Sequence, residues 1–272
     1  MRSAERAPFI KMSGSGNDFL FFDVRDRPDH PFAEPARIQR LCARGTGVGA
    51  DGVVLMENSS ASAFAMRYFN ADGSLAALCG NATLCAARLA VELAVVSPRQ
   101  ALEGFQFEAG VGTINARVIE GIPEIELTVP RNIVENVVPR VPLASGESLA
   151  GYLELGVPHA VIVCQDADKA PVMSRGKTLR SHEAFPHGAN VNFVSRSPDG
   201  WRYRTYERGV ENETLACGTG AAACAILLNR WGKAESPVRL LTSSGNILEV
   251  ELPADRTQAP RLRGEATIVY EG

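Results

Sequence analysis

One short motif occurs twice in this chain, about half a chain apart, and each copy leads into an alanine-rich run. The first copy runs from Phe69-Asn70-Ala71-Asp72-Gly73 to Cys79-Gly80-Asn81. The second runs from Tyr206-Glu207-Arg208-Gly209 to Cys217-Gly218-Thr219-Gly220. Because a repeated sequence pattern specifies a repeated structural unit, the chain is expected to contain the same fold twice.

The repeat extends well beyond the two cysteines. Matching segments occur in the same order and at a nearly constant offset: Gly16–Phe22 with Gly156–Ile162, Gly49–Leu55 with Gly188–Val194, Arg67–Asn70 with Arg204–Glu207, Cys79 with Cys217, and Gly112–Asn115 with Gly245–Leu248. Short glycine-plus-apolar strings recur in many α/β proteins, but here the Cys-Gly pair falls at the same place in both series. An internal duplication therefore explains the pattern best.

Length and composition limit the classes of protein that fit. At 272 residues, 45% of them hydrophobic, the chain is long enough for two domains of ordinary size. Its 28 Lys and Arg are scattered and outnumbered by 31 Asp and Glu, which argues against nucleic-acid binding. No apolar run approaches the ~20 residues of a membrane span, and no signal peptide is visible. We therefore expect a cytoplasmic protein that binds neither nucleic acid nor membrane.

The six cysteines are too sparse for a disulfide scaffold, and no CxxC pair is present. No metal site is therefore predicted. Four of the cysteines have apolar surroundings and are interpreted as packing residues: Cys42, Cys85, Cys164 and Cys224.

Short apolar runs bounded by Gly, Pro and Asp predict many short strands, among them 124–129 and 267–270. Helices are predicted over 36–44, 79–95, 176–182 and 217–231. Without regular βαβ alternation, this order indicates an α+β fold of two pseudo-symmetric domains. Each domain is expected to be a curved mixed or antiparallel sheet around one central helix, with the active site in the cleft between them. The predicted domains are 1–130, completed by a C-terminal strand at 264–272, and 131–263.

Both cysteines of the repeat lie at or just before the start of a predicted helix, where unpaired N–H groups and the helix dipole favour a thiolate. Two such thiols on opposite sides of one carbon suit proton removal from one face and delivery to the other, which inverts a stereocentre. The N–H groups of Gly80, Asn81, Gly218 and Thr219 can also bind a carboxylate.

Several motifs together resemble the diaminopimelate epimerase family. They are Lys11–Phe19 (KMSGSGNDF), Phe69–Ser74 (FNADGS), Cys79-Gly80-Asn81, Pro158-His159, Glu207-Arg208-Gly209 and Glu213–Gly220 (ETLACGTG). The resemblance covers essentially the whole chain. It implies a cofactor-independent isomerase that interconverts LL- and meso-2,6-diaminopimelate in lysine and peptidoglycan precursor synthesis, by a two-base thiolate/thiol mechanism.

The resemblance also implies a role for particular residues. Cys217 would be the proton acceptor and Cys79 the proton donor, and His159 and Glu207 would modulate the thiol pKa values. The substrate-binding residues would be Asn17, Asn70, Gly80, Asn81, Asn190, Glu207, Arg208, Gly218 and Thr219. The partner is then a small diamino-dicarboxylate substrate with no cofactor or metal, and a homodimer is compatible with the sequence.

The chain departs from the usual family pattern at positions near the substrate: Gly52, Leu75, Ala82, Leu84 and Val157. These departures leave the two thiols and Arg208 in place but remove hydrogen-bonding side chains near the distal end of the substrate. Three alternatives stay open: a related racemase that needs no pyridoxal phosphate, for example one acting on histidine; a non-catalytic duplicated binding domain; and a structural disulfide between Cys79 and Cys217.

Overall fold

The computed structural model describes residues 8–27 and 29–272. The chain divides into two compact units, which we call unit 1 (1–125 with 265–272) and unit 2 (126–264). Strands outnumber helices in both, which confirms the α+β class expected from the sequence.

Among its described residues, unit 1 contains one long α-helix, two shorter α-helices and a series of strands. Its elements up to the boundary are β1 (Ile10–Gly14), β2 (Asn17–Asp23), α1 (Pro35–Cys42), β3 (Gly52–Glu57), β4 (Ala65–Asn70), β5 (Leu75–Ala76), α2 (Gly80–Glu92), α3 (Pro98–Glu103), β6 (Phe105–Ala109), β7 (Gly112–Ile119) and β8 (Ile122–Glu126).

Unit 2 has the same kind of composition. Its elements are β9 (Arg131–Val134), β10 (Glu147–Leu155), β11 (Val157–Cys164), α4 (Lys177–Arg180), β12 (Asn190–Ser197), β13 (Gly200–Glu207), β14 (Asn212–Thr214), α5 (Gly218–Arg230), β15 (Val238–Leu241), β16 (Ile247–Glu251) and β17 (Arg261–Gly264). The last strand, β18 (Ala266–Glu271), belongs to unit 1 and pairs antiparallel with β1.

The pattern of strand pairing is the same in the two units. In unit 1, β2 pairs antiparallel with β1 and parallel with β3, and β4 pairs antiparallel with β3 and β5 and parallel with β6. In unit 2, β11 pairs antiparallel with β10 and parallel with β12, and β13 pairs antiparallel with β12 and β14 and parallel with β15. The repeat seen in the sequence is therefore a repeat of topology.

Each unit is built around its long alanine-rich helix. Helix α2 contacts β1, β3, β7 and β18, and α5 contacts strands β10 to β13 together with β15 and β16. Ten residues of each helix are buried, so burial extends around the whole circumference. Small side chains permit this close approach: a Cβ on Gly14 of β1 would lie 2.8 Å from the backbone oxygen of Asn81 in α2. Because the helix is enclosed by its own sheet, its first turn has a fixed position.

Some predicted boundaries were wrong. Helix α2 ends at Glu92, before the predicted residue 95, and Ala94 takes a positive φ of 52° that a helix cannot continue through. Strand β8 spans Ile122–Glu126, so the predicted strand 124–129 began and ended too late in the sequence. Helix α3 was missed, although Ser97 and Gln100 form a capping box at its start.

The ladder register also corrects the sequence alignment of the two halves by one residue around β3 and β12. Two rows of opposed residues define it: Leu20–Val53–Phe69 in unit 1 and Ala160–Val191–Tyr206 in unit 2. Gly52, rather than Asp51, is therefore the equivalent of Asn190, and Val54 is the equivalent of Asn192.

Candidate active site

Cys79 is the residue immediately before the first turn of α2. Its backbone is extended, with φ −133° and ψ 112°, and its side chain is half-buried. The Cys79 carbonyl oxygen accepts two hydrogen bonds from Thr83, one from the backbone N–H at 2.9 Å and one from Oγ1 at 2.8 Å. These bonds hold the cysteine in register with the helix.

The first turn of α2 is suited to binding an anion. The Cys79 side chain does not make the hydrogen bond that an N-cap Ser, Thr, Asp or Asn would make. The N–H groups of Gly80 and Asn81 lie in the first helical turn, where no intrahelical carbonyl is available to them. A carboxylate placed there would accept these N–H groups and interact favourably with the helix dipole.

Asn81 is linked to a charged cluster through Asn17. The Asn81 amide donates to Asn17 Oδ1 at 2.7 Å, and the Asn17 amide donates to the Asp51 carboxylate at 3.0 Å. Arg44 donates to Asp51 at 2.8 Å and to Asp18 at 2.6 Å. The cluster therefore fixes the orientation of the Asn17 amide beside the cysteine turn.

Lys11 completes this cluster. Its Nζ lies 2.9 Å from Asp18 Oδ2 and donates to the carbonyl oxygen of Gly49 at 2.6 Å. Burial alone would raise the pKa of Asp18, but hydrogen bonds from Arg44 and Lys11 lower it overall. Asp18 is thus held as a carboxylate at neutral pH.

Asn70 lies at the last position of β4. Its amide nitrogen donates to Ser74 Oγ at 3.0 Å, and its backbone N–H donates to the Ser74 carbonyl oxygen at 2.9 Å. The turn to Ser74 therefore orients the side chain, and Oδ1 is its other hydrogen-bonding end.

The glycine at position 52 has a steric cause. A Cβ there would lie 2.4 Å from the Phe69 carbonyl oxygen, 2.5 Å from Tyr68 Cε2 and 3.0 Å from the Tyr68 hydroxyl. The Tyr68 ring also packs edge-on against Phe19, with centroids 5.9 Å apart. Tyr68 therefore fills the space that a larger residue 52 would need, which explains one departure from the usual family pattern.

In unit 2, Cys217 takes the same place before α5 and almost the same backbone conformation, with φ −132° and ψ 107°. Its support is different. The buried hydroxyl of Tyr203 accepts from the Cys217 backbone N–H at 3.1 Å and donates to the Cys217 carbonyl oxygen at 3.1 Å. The thiol lies 3.6 Å from Thr219 Oγ1, and Cys217 as a whole is only 7% exposed. The N–H groups of Gly218 and Thr219 lie in the first turn of α5, as those of Gly80 and Asn81 do in α2.

A buried polar network lies next to this turn. His159 of β11, Asn192 of β12 and Thr205 of β13 are each at most 1% exposed. The Asn192 side-chain nitrogen lies 3.3 Å from His159 Nδ1, and Asn192 Oδ1 accepts from Thr205 Oγ1 at 2.8 Å. Burial, and next the positive charge of Arg208, lower the pKa of His159 to about 3. The imidazole is therefore neutral at physiological pH.

Asn190, Glu207 and Arg208 lie together at one edge of the unit 2 sheet. Asn190 opens β12 and Glu207 closes β13. The Asn190 carbonyl oxygen Oδ1 accepts from the Arg208 backbone N–H at 2.8 Å, and the Arg208 guanidinium donates to the His187 carbonyl oxygen at 2.6 Å. Arg208 is half-buried, so its charge is held near His159 and can still meet a ligand carboxylate.

The four cysteines outside the repeat have the environments expected of packing residues. Burial raises the pKa of Cys42 and of Cys164 to about 11, and it raises the pKa values of Cys85 and Cys224 well above the usual range. None of the six cysteines forms a disulfide in this structure. Within residues 8–27 and 29–272, no group of three or more His, Cys, Asp or Glu is placed to hold a metal ion.

The sequence-predicted residues fall into two local groups. Cys79, Gly80, Asn81, Asn17 and Asn70 lie in unit 1, and the remaining ones lie in unit 2: His159, Asn190, Glu207, Arg208, Cys217, Gly218 and Thr219. Asn17 is joined to Asn81, and Asn190 to Arg208, by the hydrogen bonds described above. Hydrogen bonds within each unit do not test the catalytic and binding roles of these residues, which stay predictions.

Sequence reasoning missed the supporting residues. Asp51 was visible as a polar residue in a repeated glycine segment, but its bond to Asn17 depends on tertiary contact. Tyr203 and Asn192 sit inside apolar strands, where a polar residue among buried positions was the available signal.

The fold is similar to that of a solved phenazine biosynthesis protein of the PhzF family from Bacillus anthracis, with a TM-score of 0.71 at 14% identity over 98% of each chain. Among the described residues, no helix has the length and apolarity that a membrane span requires. Fold and local sites together define a duplicated α+β protein with one cysteine at the start of each central helix.

Sequence comparison narrows this class to one family. The family model for diaminopimelate epimerase matches residues 9–119 and 151–269. A curated diaminopimelate epimerase from Gemmatimonas aurantiaca is 45% identical over 97% of this chain and 98% of its own length. Another from Aquifex aeolicus is 40% identical, with 97% and 96% covered. The chain belongs to the diaminopimelate epimerase family, and the family predicted from the sequence motifs is confirmed.

Proposed function

We propose that the protein is an isomerase that interconverts LL- and meso-2,6-diaminopimelate, without a cofactor, in the cytoplasmic synthesis of lysine and peptidoglycan precursors. One observation carries this proposal: the same extended cysteine precedes each of two enclosed helices, with backbone angles that agree within a few degrees. Two equivalent thiols of this kind supply the acid and the base that inversion of an α-carbon requires.

In the proposed reaction, the Cys217 thiolate removes the α-hydrogen from one face of the α-carbon. The Cys79 thiol then delivers a proton to the opposite face, which leaves Cys217 protonated and Cys79 ionised. The reverse reaction exchanges the two roles. Proton balance is complete because one hydrogen leaves the substrate and one enters it.

The reacting carboxylate would bind the helix N-termini. The N–H groups of Gly80 and Asn81 and those of Gly218 and Thr219 are the donors we assign to it. As the α-hydrogen leaves, negative charge spreads onto this carboxylate, so the same donors would stabilise the transition state more than the ground state.

The distal end of the substrate would be read by side chains. Arg208 is the assigned partner of the distal carboxylate, because its guanidinium is held by His187 and can form a charge-assisted pair. The amides of Asn17, Asn70 and Asn190 and the Glu207 carboxylate would bind the remaining polar groups, including the distal ammonium. Glu207 and His159 are also assigned to modulating the thiol pKa values.

A direct assay tests this proposal. Purified full-length protein is supplied with LL-diaminopimelate, and with histidine and glutamate in parallel, and the stereoisomers are resolved chromatographically. We expect rapid conversion of diaminopimelate and little racemisation of the other two. Preferred racemisation of histidine would favour the related racemase, and no turnover of any amino acid would favour a binding domain.

A variant sharpens the substrate assignment. Arg208→Ala should raise KM for diaminopimelate by at least about tenfold, since a charge-assisted hydrogen bond contributes about 1.5–3 kcal/mol. Arg196→Ala removes an exposed arginine of the same unit and serves as the matched control. An unchanged KM in Arg208→Ala would contradict the role of Arg208 in binding the distal carboxylate.

A further inference from the structure

The buried network of unit 2 determines which nitrogen of His159 carries the proton. The Asn192 side-chain nitrogen donates to the carbonyl oxygen of Ala160 at 3.0 Å, and a backbone carbonyl can only accept. At its other end, Asn192 Oδ1 accepts from Thr205 at 2.8 Å. These two bonds orient the amide so that its NH₂ group faces His159 Nδ1 at 3.3 Å.

The NH₂ group of Asn192 can donate to His159 Nδ1 only if that nitrogen is unprotonated and has a lone pair to accept the hydrogen bond. His159 Nδ1 is therefore the acceptor, and the single proton of the neutral ring lies on Nε2. The lowered pKa of His159, caused first by burial and then by Arg208, agrees with a neutral ring. Among the described residues, the buried Nε2 has no hydrogen-bond partner, so its N–H is not engaged by the surrounding protein.

Unit 1 shows that the fold itself does not need these polar groups. The register equivalents of His159, Asn192 and Thr205 are Phe19, Val54 and Tyr68. Buried polar groups cost free energy unless they are hydrogen-bonded, so a network in place of aromatic packing needs a reason beyond stability. Orienting the imidazole is the reason that this geometry supplies.

The first turn of α5 is shaped to admit the same network. A Cβ on Gly220 would lie 2.4 Å from Asn192 Oδ1 and 3.2 Å from the Cys217 thiol. At the equivalent helical position, unit 1 has Ala82. Glycine at 220 thus lets the Asn192 side chain lie directly beneath the turn that carries Cys217.

We propose that Asn192 is a positioning residue that holds His159 as the neutral tautomer with its proton on Nε2. His159 is then a hydrogen-bond donor rather than a base in the resting protein. A neutral N–H donor can stabilise an anion, either a thiolate or a substrate carboxylate oxygen, without adding a positive charge to that of Arg208. The role in the reaction depends on the proposed function, whereas the tautomer itself does not.

The tautomer is measured directly by ¹⁵N NMR of histidine-labelled full-length protein at neutral pH. The chain has four histidines, and His159→Gln identifies the signals of position 159. We expect a protonated Nε2 and an unprotonated Nδ1. A proton on Nδ1, or an imidazolium, would overturn the proposal.

Replacing Asn192 tests its part. Asn192→Val introduces the residue that unit 1 carries at the equivalent position, so the packing is tolerable by precedent. We expect the His159 signals to lose the Nε2–H pattern and kcat to fall by about tenfold with little change in KM. Ser195→Ala alters another buried polar residue of β12 and should leave the His159 signals unchanged.

The outcomes separate this proposal from the proposed function. Retention of the Nε2–H pattern in Asn192→Val would show that Asn192 does not set the tautomer. A correct tautomer in a protein that turns over no amino acid would leave the tautomer proposal standing and contradict the proposed function.

Discussion

The two cysteine turns have the same backbone and different surroundings. In unit 1, the Cys79 turn is linked through Asn81 and Asn17 to a cluster of charged side chains, one of which, Arg44, is 61% exposed. In unit 2, the Cys217 backbone is hydrogen-bonded to the buried hydroxyl of Tyr203, and the turn lies beside the neutral network of His159, Asn192 and Thr205. Duplication has preserved the helix start while the residues that support it have diverged.

At two equivalent positions, the larger side chain has moved from one strand to the other. Unit 1 combines Gly52 with the large Tyr68, and unit 2 combines Asn190 with the smaller Thr205 at the same register positions. Both cysteine carbonyls accept the backbone N–H four residues further on, and they differ in the side chain that donates the second bond: Thr83 from the helix in unit 1 and Tyr203 from the sheet in unit 2. Equivalent geometry can therefore be reached by different partners, provided that total volume and hydrogen bonding are satisfied.

The largest expected difference is between the repeat cysteines and their neighbours. Cys79→Ala and Cys217→Ala should each reduce epimerisation by about 10²–10⁴-fold or more, because each removes a group that we propose as an acid or base of the reaction. Cys224→Ala, in the same helix as the Cys217 turn, should retain activity and lose on the order of 1 kcal/mol of stability. Assays of the three variants with diaminopimelate provide the measurement, and an active Cys217→Ala variant would refute the equivalence of the two turns.

Tyr203 and Thr83, whose hydroxyls donate to the two cysteine carbonyls, offer a second comparison. Tyr203→Phe removes the hydroxyl that accepts from the Cys217 N–H and donates to the Cys217 carbonyl, which keeps the backbone N–H of Ala221. The loss should cost about 1–3 kcal/mol of unfolding free energy. Thr83→Val should cost less, about 0.5–1.5 kcal/mol, since it removes one side-chain hydrogen bond to the cysteine backbone rather than two. Urea unfolding of both variants compares the costs, and equal losses would show that the two turns are supported equally.

His159 of unit 2 should make the protein sensitive to mild acid. His159 has a pKa lowered to about 3 in the folded protein from a usual value of 6.5, so the unfolded chain binds more protons between these values. Unfolding free energy should therefore fall as pH drops from 6.5 toward 3, by up to about 1.4 kcal/mol per pH unit. His159→Gln should remove this component, whereas His187→Gln, at an exposed position, should retain it. Identical acid profiles for the parent and His159→Gln would contradict the buried neutral state.

The smallest expected effect is on the salt dependence of the unfolding free energy, and it should come from the charged cluster of unit 1. Arg44→Gln removes ion pairs with Asp18 and Asp51, and because Arg44 is largely exposed the loss should be below about 1 kcal/mol. The difference from the parent should shrink as ionic strength rises. Urea midpoints at low and high salt measure this, with Arg25→Gln at another partly exposed ion pair as the control. A large, salt-independent loss would mean that the cluster is a buried structural core.

Sequence reasoning located the central helices and the cysteine turns because both depend on local signals. A Cys-Gly step before an alanine-rich run is readable without tertiary information, and Gly80 and Gly218 do open the helices. The strand at 267–270 was also readable from its run of β-branched and aromatic residues.

The supporting partners depend on register, which a repeat alignment alone does not determine. Aligning Asp51 with Asn190 was wrong by one residue, and such a shift moves every side chain of a strand to the opposite face. The correct register is what places Asn192 beside His159 and brings Val54 to the equivalent position. Asn192 was missed for this reason, whereas the bonds of Asp51 and Tyr203 depend on tertiary contacts that the sequence does not show.

The central claim is that two different thiols transfer the α-proton, one from each half of the duplication. Turnover of LL-diaminopimelate in deuterated water tests it, with the isotope content of substrate and product followed at early times. The account predicts deuterium at the α-carbon of the meso product while the remaining substrate keeps its protium. Product that retained the original α-hydrogen would require a single group to remove and return it, and would contradict the account.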